Sequence, residues 1–282
     1  MRTWTLALVV WILACAARAG AAPAADPAPV IAAERAFAAR AAVVGIAPSF
    51  LEFMADDAVV FAPEPVNAKA LYGARPPPKP PKDGGTLLAW WPALAGIASS
   101  GDLGFTTGPA TVNGKPGVYY FTVWRREPGG AWKWVLDGGV PGDQTAAPDP
   151  RSEPRILASG GAWPVDRARA RKTLDRAEGD LARRAHTSVA AAYRAHLTAD
   201  AQMQGSGLAP ATNPVAVARE LATRPASIAF RPLGGGLSQA NDLAWTYGDA
   251  RWKDGRGHYV RIWQRRTGHW ALVFDQIIKV DS

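Results

Sequence analysis

The residues best suited to chemistry in this chain come in pairs. Asp137 closes the stretch WKWVLDGG, and Asp275 stands at the same place in HWALVFDQ, 138 residues further on. An aspartate held inside an apolar pocket keeps its proton to higher pH and so becomes a useful general acid or base. The alternative is that each aspartate ends a strand and faces water. Strand parity does not separate the two, because both faces of Trp132 to Leu136 are largely apolar. Of the four histidines, His186, His196, His258 and His269, the best titratable candidate is His258, which opens a strand at the position of Tyr119. Asp137, Asp275 and His258 are therefore the candidate proton-transfer groups, with a tyrosine as hydrogen-bond donor.

Aromatic residues form the second set. Tyr120 and Trp124 lie four apart on one strand, as do Tyr259 and Trp263 on another, so each pair shares a face. Such residues offer apolar area with one polar handle, which suits contact with a small organic ligand as well as it suits a filled core. No histidine has metal-ligand spacing, so no metal is expected. No Gly-x-Ser-x-Gly elbow, Walker loop or dinucleotide fingerprint stands at a strand–helix junction, so no cofactor is expected.

The elements that must position these residues occur twice. SGDLGFTTG, YYFTVWRR and WKWVLDGG in the first half answer ANDLAWTYG, HYVRIWQRR and HWALVFDQ in the second. Asp102 and Gly108 precede Asp242 and Gly248 by 140 residues, and Trp124 precedes Trp263 by 139. A repeat this long means two domains. In each half the order reads helix, helix, short strand, helical turn, then four antiparallel strands. The first-half strands fall near 58–61, 86–98, 102–112, 117–126 and 131–138. The second half places helices at 166–186 and around Tyr193 to Leu197, and strands near 226–233, 242–252, 257–266 and 269–278. Pro141, Pro148, Pro150, Pro154 and Pro164 mark 141–165 as a linker between domains 30–140 and 166–282. Asp102 and Asp242 stand at turns, where aspartate caps free backbone N–H groups.

This order resembles the nuclear transport factor 2-like superfamily, also called SnoaL-like or cystatin-like. The motifs GDLGFTTG, YYFTVWRR and WKWVLDGG are similar to those of exported bacterial domain-of-unknown-function 4440 proteins. The resemblance implies an α+β fold of two tandem cystatin-like cones, each with N-terminal helices packed on a curved antiparallel sheet. It implies sheet-to-sheet packing as an intramolecular pseudo-dimer in a monomeric chain. It further implies that Asp57 and Asp200, which follow the second helix of each half, lie near the cone mouths and contact ligand. Asp57, Tyr120, Trp124, Asp200, Tyr259 and Trp263 are thus the candidate ligand-binding set. Binding of a small, largely apolar molecule in one or both cones is the function expected. An isomerase, dehydratase or hydrolase using a pocket Asp or His as base is the alternative, and a non-catalytic envelope scaffold is a third.

Arg2, the apolar run Leu6 to Ala14 and the Ala17-Arg18-Ala19 site read as a signal peptide over 1–19, giving a periplasmic or secreted protein. Ile12-Leu13-Ala14-Cys15 also reads as a lipobox, with Cys15, the sole cysteine, as a lipid anchor. No membrane span is expected, because the apolar run is too short. The formal charge of +8 comes from arginines interspersed with acids, so nucleic acid is not an expected partner.

Overall fold

The structure is a computed structural model that describes residues 25–280 except 75 and 77. The signal peptide and the lipobox at Cys15 lie outside the described residues. Helix α1 (Ala28–Val44) buries Val30, Glu34, Phe37 and Ala41, a stripe at helical spacing, and stops at Gly45, whose φ of 87° only glycine adopts readily. Helix α2 (Ile46–Phe53) leads into strands β1 (Met54–Phe61) and β2 (Pro65–Asn67), then helix α3 (Ala68–Gly73). Asn67 caps α3 by accepting the Ala70 N–H at 2.9 Å. Strands β3 (Leu88–Trp90), β4 (Leu94–Ile97), β5 (Leu103–Val112), β6 (Lys115–Arg126), β7 (Trp132–Pro141) and β8 (Arg155–Leu157) follow. The β5–β6 turn is Asn113-Gly114, both at positive φ, the geometry that tight hairpins require.

The second half repeats the plan. Helix α4 (Arg167–Ala185), capped by Asp166, buries Leu174, Glu178, Leu181 and Ala185. Helix α5 (Val189–Arg194), strand β9 (Leu197–Gln204), helix α6 (Pro214–Thr223) and strands β10 (Ala229–Leu237), β11 (Leu243–Trp252), β12 (Gly255–Arg266) and β13 (His269–Val280) complete it. The sheets run β2-β1-β7-β6-β5-β4-β8 and β10-β11-β12-β13-β9, with β3 pairing β5. β1 lies parallel to β7 as β9 does to β13; the consecutive long strands are antiparallel. Register breaks at Val123/Trp124 and at Ile262/Trp263 fall at equivalent places and bend each sheet around its long helix. Each half is thus the α+β cone that the resemblance implies.

The cones pack sheet against sheet. Phe105, Phe121, Val123 and Val135 meet Val260, Ile262, Val273 and Phe274, and the Phe121 and Phe274 rings stack at 4.2 Å. The duplicated turns interlock across this seam. Asp102 accepts the backbone N–H of Gln239 at 3.0 Å, and Asp242 accepts that of Ser99 at 2.8 Å. Turn capping is therefore the role of both aspartates, but each caps the other half.

Three elements differ from the sequence reading. The strand expected over 86–98 breaks into β3 and β4 around Pro92, which has no N–H to give to a ladder. Gly108 allows the break, since a Cβ there would meet the Trp91 carbonyl oxygen at 2.0 Å. The linker carries β8, which pairs parallel with β4 and lengthens the first sheet. Leu197, expected on a helix, begins β9 instead.

Candidate functional site

The first cone contains a cavity of about 230 Å³, lined mainly by Ile46, Phe50, Tyr72, Leu88, Trp90 and Ala110, with Tyr120 and Asp137 as its polar wall. α2 and α3 cover one side, and β3, β5, β6 and β7 form the other. Asp137 is placed by β7, where it pairs directly across from Thr122, and the Thr122 hydroxyl donates to its Oδ2 at 2.8 Å. Burial pushes the Asp137 carboxyl well above its ordinary 3.8, and the nearby Glu34 carboxyl adds to the rise. The Tyr120 hydroxyl is buried at the same wall with no hydrogen-bond partner in the protein. Burial raises its pKa and that of Tyr72, so both phenols stay neutral donors.

Behind this wall lies Glu34, from the apolar stripe of α1 and fully buried. It accepts the indole N–H of Trp90 at 2.5 Å and of Trp124 at 2.8 Å, and the Thr106 hydroxyl. Burial raises its pKa, and those neutral donors only partly offset the rise. Among the described residues neither Glu34 nor Asp137 pairs with an arginine or lysine.

The second cone keeps the same frame and closes it. Glu178 on α4 accepts the Trp263 indole N–H at 2.6 Å and the Thr246 hydroxyl, as Glu34 accepts those of Trp124 and Thr106. Where the first cone has Thr122, this one has Arg261. Its Nη1 donates to Glu178 at 2.7 Å and its Nε to Asp275 at 3.1 Å. Asp275 also accepts from Tyr193 at 2.8 Å and from Arg224. The guanidinium of Arg261 lies 4.0 Å from the Tyr259 ring and 4.1 Å from that of Phe230. Side chains thus occupy the space that is open in the first cone.

The expected site residues divide accordingly. Asp137 and Tyr120 face the cavity, and Trp124 lies one layer deeper on Glu34. Asp275, Tyr259 and Trp263 belong to the filled arginine–carboxylate network. Asp57 is away from the cavity, held on the surface by two 2.9 Å bonds from Arg125. Asp200 pairs with Arg266 at 3.1 Å. The reason is the same for both: a register break in β1 and in β9 falls at these residues, and arginines of β6 and β12, one strand beyond the paired one, reach them. His258 lies between the halves, in a polar cleft of about 270 Å³. Its Nδ1 is 3.2 Å from Asp249 and its Nε2 3.2 Å from Glu64, neither aligned as a hydrogen bond. Arg231 and Arg256 hold those two carboxylates, so the cleft is a chain of internally matched charges.

Sequence reasoning missed Glu34 and Glu178. The available signal was a glutamate inside an apolar helical stripe, between Val30 and Phe37 in one half and between Leu174 and Leu181 in the other.

The likenesses to known proteins are structural and distant. A scan of family models and a search of curated proteins give no match. Among solved structures, a ketosteroid isomerase-like protein from Erwinia carotovora atroseptica is 12% identical, covering 39% of this chain and 96% of its own, with a TM-score of 0.36. A putative scytalone dehydratase from Novosphingobium aromaticivorans is 11% identical, covering 40% and 86%, with a TM-score of 0.34. A cystatin-like protein of unknown function from Nostoc punctiforme is 13% identical, covering 40% and 92%, also at 0.34. By its own geometry the chain joins two α+β cones, one hollow and one filled.

Proposed function

We propose that the first cone binds a small, largely apolar molecule, with Asp137 and Tyr120 as its polar contacts. The observation that carries this is the largely apolar cavity of about 230 Å³ with a buried carboxyl and a phenol without a partner on one wall. An apolar space of roughly 150 Å³ already accommodates benzene, so this one suits a substituted ring. The second cone contributes no comparable site, because Arg261 fills it. Residues 1–19 read as an export signal, which supports a periplasmic or secreted setting for this binding.

Proton transfer is a second reading, favoured by Asp137 alone. A buried carboxyl raised well above its ordinary value is a stronger base and holds its proton to higher pH, and Tyr120 can donate to a developing oxyanion. Isomerisation or dehydration is the chemistry this arrangement suits.

The test is tryptophan fluorescence and thermal shift with a panel of substituted benzenes and indoles. Wild type should bind and be stabilised, and Ala110→Leu, which fills the cavity, should not. Equal binding by both, or by neither, overturns the reading. Under the proton-transfer reading, Asp137→Asn should lose turnover of any substrate that wild type converts.

A further inference from the structure

The second cone displays what the first one is shaped to receive. Arg261 stacks on Tyr259 and Phe230 and pairs with Asp275 and Glu178. Each of those four partners has a counterpart in the first cone. Tyr120 stands for Tyr259, 139 residues earlier, and Trp90 for Phe230, since Trp90 pairs with Ala110 as Phe230 pairs with Ala250. Asp137 stands for Asp275, and Glu34 for Glu178. Even the flanking aromatic recurs, with Phe50 in the place of Tyr193, which packs against Arg224. Where Arg261 stands the first cone has Thr122, and a cavity lies beside Trp90, Tyr120, Asp137 and Phe50, with Glu34 behind it.

We propose that the ligand of the first cone is an organic cation, a small amine or guanidine on an apolar body. Its charged head takes, among Trp90, Tyr120 and Asp137, the position that the Arg261 guanidinium takes in the second cone. This rests on the reading of the first cone as a ligand site and adds the charge of the ligand. The chemistry is that of an aromatic cage closed by a carboxylate: ring faces attract the cation, and the carboxylate neutralises it. The titratable groups facing the space are Asp137 from β7, Tyr120 from β6 and Tyr72 from α3, with Glu34 of α1 behind them. An entering cation favours ionised Asp137, so binding releases a proton to solvent and strengthens as pH rises.

The experiment is isothermal titration of the whole protein with benzylamine and phenylguanidine against their uncharged counterparts, benzyl alcohol and phenylurea. Runs in two buffers of different ionisation enthalpy read the proton. The cations should bind about tenfold or more tighter than the neutral compounds, with net proton release. Asp137→Asn should erase that preference. Thr122→Arg, which supplies the cation from within the chain, should abolish binding of all four, with the near-ultraviolet circular dichroism retained. If Thr122→Arg does not fold, Asp137→Asn decides alone. Neutral compounds binding as well as the cations, or a preference that survives in Asp137→Asn, overturns the cation inference and leaves the ligand site standing. Binding of none of the four overturns both.

Discussion

Thr122 and Arg261 occupy equivalent positions on equivalent strands, and each donates to the aspartate paired across from it, Asp137 or Asp275. Their difference in size and charge separates an open cone from a closed one. Removing Arg261 takes from the buried Glu178 its cation and from Asp275 one of its two, whereas removing the Thr122 hydroxyl deprives Asp137 of one neutral donor. Arg261→Leu should therefore cost about 3–5 kcal/mol, and Thr122→Val about 1 kcal/mol. Urea unfolding of both variants measures this; equal costs would show that the second cone is not held by its ion pairs.

The two buried carboxyls of the first cone make stability depend on pH. Burial raises both Asp137 and Glu34 above their ordinary 3.8 and 4.5. The folded state therefore holds protons that the unfolded chain has released. Their contribution is fully present below those ordinary values and is lost as pH rises through the folded-state values. Relative to the double variant Asp137→Asn, Glu34→Gln, wild type should lose stability as pH rises from 4. Parallel unfolding curves for the two proteins across that range would contradict it.

The interlocked turns predict an unequal pair of effects. Asp242 is fully buried and accepts from Ser99 N–H and the Ser238 hydroxyl. Asp102 accepts from Gln239 N–H at an exposed edge. Asp242→Ala should cost about 2–3 kcal/mol and Asp102→Ala under about 1 kcal/mol. Thermal unfolding of each variant checks the order, and a larger loss at Asp102 would reverse the assignment.

Gly108 is where β5 passes closest to the broken strand before it. A methyl group there meets the Trp91 carbonyl oxygen at 2.0 Å and the Ala93 nitrogen at 2.9 Å, both backbone. Gly108→Ala should destabilise by about 1–3 kcal/mol and, by shifting Trp90, weaken whatever the cavity binds. A stability within error of wild type would mean that the strands part at no cost.

Much of this was legible in the chain. The repeat gave both sheets and the helix order, because strand motifs in register carry the hydrophobic alternation that builds a sheet. Asp137 and Tyr120 were readable as candidates, yet nothing local told Asp137 from Asp275. What separates them is the Thr122 to Arg261 exchange, visible as YYFTVW against HYVRIW but meaningless until β6 and β7 are paired. Glu34 was passed over because an acid on a helix is ordinarily solvated, and only the indoles of Trp90 and Trp124, distant in sequence, make it an interior residue. β8 was hidden in proline-rich sequence because three residues carry no periodicity.

The stacked seam of Phe121 and Phe274 sets the arithmetic of binding. That seam joins a hollow half to a solid one within one chain. The protein should sediment with the mass of a single chain, and its ligand should saturate at one equivalent along a simple hyperbola. One hollow cone per chain leaves a single chain without a second site for cooperativity to act on.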